Sequence, residues 1–163
     1  MLEKSSFLIQ IYQKFVRLLS SFQSIFLLII RIIWGYQFFL SGWNKVGDIP
    51  GFARFLESLD IWAPVFHAYF VSYAEMILGL FLLFGLFSRP SALVLTIIMF
   101  TAYSTAHTDS FTLSLFKDPS IFAKETPFAY LFTSLIVLLF GPGLFSIDGW
   151  ARRLIHYKEK YPY

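Results

Sequence analysis

The sequence predicts an all-α integral membrane protein, an antiparallel four-helix bundle preceded by an N-terminal interfacial amphipathic helix. Three observations predict it. Of 163 residues, 57% are hydrophobic and only 14% charged, against about a quarter charged in soluble domains. Two long runs, Leu18–Asn44 and Ile61–Ser88, are each interrupted by a single charge, Arg31 and Glu75. Small and polar residues recur within the apolar runs at spacings of three and four, as close packing between membrane helices requires. A soluble fold of this length has too much surface to hide 21 phenylalanines, whereas a bilayer solvates them. The length leaves room for one membrane domain, residues 21–150, between an N-terminal segment, 1–20, and a tail, 151–163.

Residues 7–20 place Leu8, Ile11, Tyr12, Phe15, Leu18 and Leu19 on one helical face and Gln10, Gln13, Lys14 and Arg17 on the other. This pattern predicts a helix lying on the membrane surface. It is broken by polar residues and lacks a small-residue cleavage site, unlike a signal peptide. The first span is predicted over about 22–43. The second runs over about 64–87, with Pro64 suited to a first helical turn. Ser88-Arg89-Pro90 forms a tight connection, and the third span covers about 90–107. Thr126-Pro127 caps a fourth span over about 127–141, which Gly141-Pro142-Gly143 ends. Between spans one and two, Phe52, Phe55, Leu56 and Leu59 share a face, predicting a short amphipathic helix flanked by Trp43 and Trp62 at headgroup level. Residues 108–125 form the longest polar stretch, with a turn at Asp118-Pro119-Ser120.

Charge placement predicts the orientation. The N-terminal segment, the Arg89 turn and the tail hold eight of thirteen Lys and Arg residues. The two other connections hold four, Lys45, Arg54, Lys117 and Lys124, beside six acids. The positive-inside rule then puts both termini in the cytoplasm, in a multi-pass protein of the cell (inner) membrane.

The seams predict the site. Span one carries Arg31, Gly35, Phe38, Gly42 and Lys45; span two carries Ala68, Ser72, Glu75 and Gly79. Ala92, Thr96, Met99, Tyr103 and Ala106 line span three, and Tyr130, Ser134, Val137 and Gly141 line span four. Arg31 precedes Trp43 by twelve residues, about 18 Å, and Glu75 follows Pro64 by eleven, about 16.5 Å, at 1.5 Å per residue. If both distances start at one surface, the two charges share a level near the midplane and form an ion pair, since either alone costs several kcal/mol. Gln37, Asn44, Lys45, Tyr103 and His107 lie nearer the outer face as a candidate polar cavity. The pair reads either as a proton- or ligand-binding centre or as a staple fixing helix register. His67 and His156 read as surface histidines.

The chain has no cysteine, which excludes disulfides, thiolate metal sites, Fe–S clusters and dithiol chemistry within it. No histidine lies deep enough for bis-histidine haem. No residue set predicts a metal site, and no motif predicts nucleic-acid binding.

Arg31-x3-Gly35, Gly42-x2-Lys45, Glu75-x3-Gly79, Gly85-x2-Ser88-Arg89 and Gly141-Pro-Gly-Leu-Phe-Ser-Ile-Asp148 resemble, as an ordered set over about residues 25–150, the DoxX family of small four-helix membrane proteins. Trp34–Phe39, Ala129–Phe140 and the C-terminal motif most resemble the branch accompanying peptide-modifying enzymes in metal-stress gene clusters. The resemblance implies an association with quinol oxidation or with soluble redox enzymes, and no catalytic residue transfers with it. Three roles follow as expectations: a non-catalytic partner, assembly or anchoring subunit of a membrane redox or stress-response system; a quinone- or quinol-interacting oxidoreductase subunit, with quinone as the implied cofactor; or a small-molecule transporter. The expected partners are the lipid bilayer and a redox or peptide-modifying protein.

Overall fold

The computed structural model describes residues 2–106 and 126–160. Among these residues six α-helices follow in order: α1 (Leu2–Gly47), α2 (Ile49–Ser58), α3 (Pro64–Phe84), α4 (Ser88–Ala106), α5 (Thr126–Phe140) and α6 (Ile147–Lys160). No strand occurs among the described residues. His107 and the polar connection with Asp118-Pro119-Ser120 lie outside them.

Helix boundaries follow local chemistry. Asp48 accepts a hydrogen bond from the Gly51 amide at 2.9 Å and caps α2, whose first turn holds Pro50. Pro64 opens α3. Gly85, at φ +70°, closes it: the Gly85 amide donates to the Leu82 carbonyl and the Leu86 amide to that of Phe81. Gly141 and Gly143 also have positive φ and turn the chain sharply after α5. Ser146 then caps α6 by accepting from the Gly149 amide at 2.9 Å.

One element departs from expectation at the N-terminus. The surface helix over 7–20 and the first span are a single helix, because α1 runs unbroken from Leu2 to Gly47. No proline or glycine interrupts it before Gly35, so its backbone bonds carry through the change in side-chain pattern. The short amphipathic helix forms as α2, but with Ile49, Ala53 and Leu56 buried and Phe55 exposed. The segment after Gly143, read as the domain's end and a tail, contains α6.

Helix α1 lies against α3, α3 against α4, and α4 against α5; α5 also touches α1, and α2 sits on α3. Phe38, Leu82, Leu95 and Val137 form the apolar core at the centre of these contacts. A second small cluster joins Ile49, Ala53 and Leu56 of α2 to Ala68 of α3. The seam residues read from the sequence are inside: Arg31, Phe38, Ala68, Ser72, Glu75, Ala92, Tyr103 and Val137 are each 0% exposed. The outside is apolar, with Phe26, Ile33, Tyr36, Phe66, Phe70, Ile97 and Phe132 each about half exposed or more. Buried serines on the seams satisfy their hydroxyls locally. Ser72 donates to the Ala68 carbonyl at 2.6 Å and Ser134 to that of Leu131 at 2.8 Å. Thr96 of α4 also donates to Ser134 of α5 at 2.9 Å. Among the described residues two helices are long and apolar enough to cross a membrane, Ile9–Gly47 and Pro64–Phe84, and α5 is a shorter apolar helix.

Candidate functional site: a buried carboxylate and a basal charge lock

Glycine sets how closely α1 approaches α3. A Cβ on Gly35 would stand 2.7 Å from the Leu83 amide nitrogen. One on Gly42 would stand 2.6 Å from the Ser72 carbonyl, and one on Gly79 2.6 Å from the Phe39 amide nitrogen. Backbone therefore packs on backbone along this seam. The helices run antiparallel, with Gly35 opposite Leu83 and Gly42 opposite Met76 and Ser72.

This register decides the partner of Glu75. Its carboxylate accepts from Lys45 Nζ at 2.6 Å on both oxygens and from Ser41 Oγ at 2.8 Å. The Glu75 side chain is 1% exposed and that of Lys45 27%: the carboxylate is sealed between helices while the ammonium reaches it from the rim. Lys45 Nζ also sits 5.1 Å from the centre of the Phe52 ring of α2, a cation–π contact that holds the short helix over the pair. Tyr130 of α5 packs edge-on against Phe38 and Trp34 at 4.8 and 5.1 Å and lies within the electrostatic reach of Glu75. Chemically the centre offers a neutralised carboxylate, a hydroxyl donor and an aromatic wall.

Arg31 belongs elsewhere. Glu75 is level with Ser41; Arg31 is ten residues earlier in α1, about 15 Å away by helix rise. It stands beside Gly85, at the end of α3, and its Nη2 donates to the Phe145 carbonyl. The Asp148 charge acts on it through space. Asp148 binds the α3–α4 connection with three bonds: from the Phe87 amide at 2.9 Å, the Ser88 amide at 2.8 Å and Ser88 Oγ at 2.8 Å. The Asp148 amide in turn donates to the Gly85 carbonyl at 3.0 Å. A carboxylate from one helix thus caps another, where the N-terminal dipole of α4 favours negative charge. Gly85 is required here twice over, by its φ of +70° and because a Cβ would strike Arg31 Nη1 and stand 2.5 Å from Ser146 Cβ.

The expected Arg31–Glu75 pair is therefore corrected. The depth count assumed that Trp43 and Pro64 share a level. The register instead puts Trp43 opposite Tyr73, and α3 continues nine residues beyond it to Pro64, about 14 Å, to carry α2. Lys45, placed in the polar cavity, is the true partner. Tyr103 is fully buried. Gln37 and Asn44 face outward, and His107 lies outside the described residues. His67, half-buried, packs edge-on against Trp62 and Phe66. Ser41, Ser88 and Tyr130 were missed as site residues. Ser41 had a readable signal: it is three residues after Phe38 and four before Lys45, on the seam face.

A family model described as DoxX matches residues 26–108. The chain is 27% identical over 121 residues to a protein of Bacillus subtilis (strain 168) named "Putative oxidoreductase CatD", covering 74% of this chain and 83% of that protein. It is 30% identical over 132 residues to an uncharacterized protein of Haemophilus influenzae, covering 78% of this chain and 84% of that one. No solved structure matches.

Proposed function

Because this chain belongs to the DoxX family of membrane proteins, we propose that it is a non-catalytic integral subunit, a four-helix scaffold that anchors or assembles a redox or stress-response partner at the cell (inner) membrane. One observation carries this reading: the buried carboxylate is neutralised inside the chain, with both oxygens held by Lys45 and one also by Ser41. A charge engaged by its own helices through three of its roughly four acceptor sites fixes their register and is largely satisfied without a reactant. The apolar exterior fits a multi-pass arrangement. The bias of Lys and Arg toward the N-terminal segment, the Arg89 turn and the tail supports cytoplasmic termini. The resemblance to the branch accompanying peptide-modifying enzymes directs the search for the partner.

A second reading rests on the Bacillus subtilis relative's name and on the Lys45–Glu75 pair having Tyr130 within its electrostatic reach. In it the centre holds a quinol through one donor and one acceptor. Oxidation of a quinol releases two protons, which Glu75 and water would take, and two electrons, which a partner protein must accept because the chain has no thiol carrier.

Extraction of lipid-soluble cofactors from the purified full chain, beside Glu75→Gln, separates the two. The scaffold reading expects no stoichiometric quinone in the wild type. It also expects Glu75→Gln to cost about 1.5–3 kcal/mol of stability, the worth of a charge-assisted hydrogen bond. One quinone per wild-type chain, lost in Glu75→Gln at unchanged melting temperature, would overturn it in favour of the quinol centre.

A further inference from the structure

A groove of about 450 Å³ opens where α1, the Gly141–Gly143 turn and α6 meet, a size within the usual range of small-molecule sites. Its walls are mainly apolar: Leu27 from α1, and Phe140, Pro142 and Leu144 from the turn. The groove exists because Gly143 lies close on α1, where a Cβ would stand 3.4 Å from Leu27 Cβ and from the Ser24 carbonyl.

One cation is built into the mouth. Arg153 Nη2 donates to the Leu144 carbonyl at 2.6 Å and Nε to the Gly149 carbonyl at 3.2 Å. Two backbone tethers thus fix the guanidinium in place. It remains exposed, and no acid among the described residues pairs with it. Its Nη1 edge makes no hydrogen bond among those residues. A second exposed arginine, Arg89, stands beside the same turn: a Cβ on Gly141 would be 3.5 Å from its Nε. Ser24 and Gln23 add polar groups to the α1 wall. Alongside, Ile147, Trp150 and Leu154 form an exposed apolar stripe on α6 at spacings of three and four, the mark of a helix seated in the headgroup region.

We propose that this groove binds one anionic phospholipid, with its phosphate on Arg153 and an acyl chain along Leu27, Phe140 and Leu144. Three features select that occupant over others. A preorganised guanidinium matches a phosphate by two parallel hydrogen bonds. An apolar floor next to it suits an acyl chain and gives nothing to a free anion. The cation stands on an amphipathic helix whose tail adds Arg152, Lys158 and Lys160 against Glu159, a composition drawn to anionic lipid surfaces. Binding there joins α1, the turn and α6, so lipid occupancy stabilises the end of the molecule that Asp148 and Arg31 hold together.

The test uses the full chain, delipidated in a zwitterionic detergent and titrated with phosphatidylglycerol, phosphatidylcholine or inorganic phosphate. Thermal unfolding and native mass spectrometry are the readouts. Phosphatidylglycerol is expected to raise the melting temperature saturably and to appear as a one-to-one adduct. Phosphatidylcholine and phosphate are expected to do neither. Arg153→Gln and Leu144→Glu should each weaken phosphatidylglycerol binding about tenfold or more, the equivalent of one charge-assisted contact. Leu144 is 57% exposed, so Leu144→Glu keeps the fold and decides the matter if Arg153→Gln loosens α6. Equal effects of the two lipids, an equal effect of phosphate alone, or unchanged affinity in Leu144→Glu overturns the proposal.

Discussion

Gly42→Ala is expected to destabilise the protein by at least about 3 kcal/mol, the upper range for overpacking a close-fitting interior. The added methyl would stand 2.6 Å from the Ser72 carbonyl and 2.8 Å from Met76 Cα. Both are backbone atoms, so no side-chain rotation relieves the clash, and α1 must move off α3. Separation at this point also pulls Lys45 and Ser41 away from Glu75, since both flank Gly42 on the same helix. A buried carboxylate that loses its partners costs several kcal/mol more. Gly47→Ala is the internal control. Nothing lies within 4 Å of its added Cβ, and alanine is favoured over glycine in a helix by roughly 0.5–1 kcal/mol. Thermal unfolding in detergent should rank the variants Gly47→Ala, wild type and Gly42→Ala from most to least stable.

Asp148→Ala is expected to cost roughly 3 kcal/mol, because half-buried Asp148 holds a helix cap and hydrogen bonds to a charged acceptor worth about 1.5–3 kcal/mol. Three hydrogen bonds to the α3–α4 connection disappear, two of them from backbone amides at the start of α4. The loss leaves fully buried Ser88 without this acceptor and removes the negative charge that acts on Arg31 through space. Among the described residues Arg31 Nε and Nη1 have no hydrogen-bond partner, so the Nη2 bond to the Phe145 carbonyl and the Asp148 charge are what offset the burial of the guanidinium. Asp148→Asn keeps an acceptor for the amides and should recover roughly half of the loss, as neutral hydrogen bonds are about half as strong as charged ones. Chemical denaturation of both variants beside the wild type checks the order.

The helical class was readable because composition and seam spacing are properties of single helices. Gly35, Gly42, Ser72 and Gly79 fall on buried faces as their periodicity required. Partner identity was harder, because it depends on how two helices slide past each other. Nothing in the spacing of Arg31 and Glu75 states that α3 extends beyond α1 to carry α2. That extension moves Arg31 out of reach and brings Lys45 in. The Asp148 lock was legible as a motif without its geometry: the pieces around Arg31, Gly85, Ser88 and Asp148 are separated by up to 117 positions in the chain and meet only at one end of the fold. Continuity of α1 was hidden for a different reason. The change from amphipathic to uniformly apolar pattern near residue 20 alters what the side chains face and leaves the backbone hydrogen bonding untouched.

The central claim is that Glu75 is held by Lys45 while Arg31 serves the opposite end of the helix pair. Double-mutant cycles with Lys45→Gln, Arg31→Gln and Glu75→Gln, read by unfolding free energy, test it most directly. Lys45 and Glu75 should couple by about 0.5–3 kcal/mol, as residues in contact do, whereas Arg31 and Glu75 should add within about 0.5 kcal/mol, as residues beyond 7–10 Å do. Strong coupling between Arg31 and Glu75 with additivity between Lys45 and Glu75 would contradict the register on which the site rests.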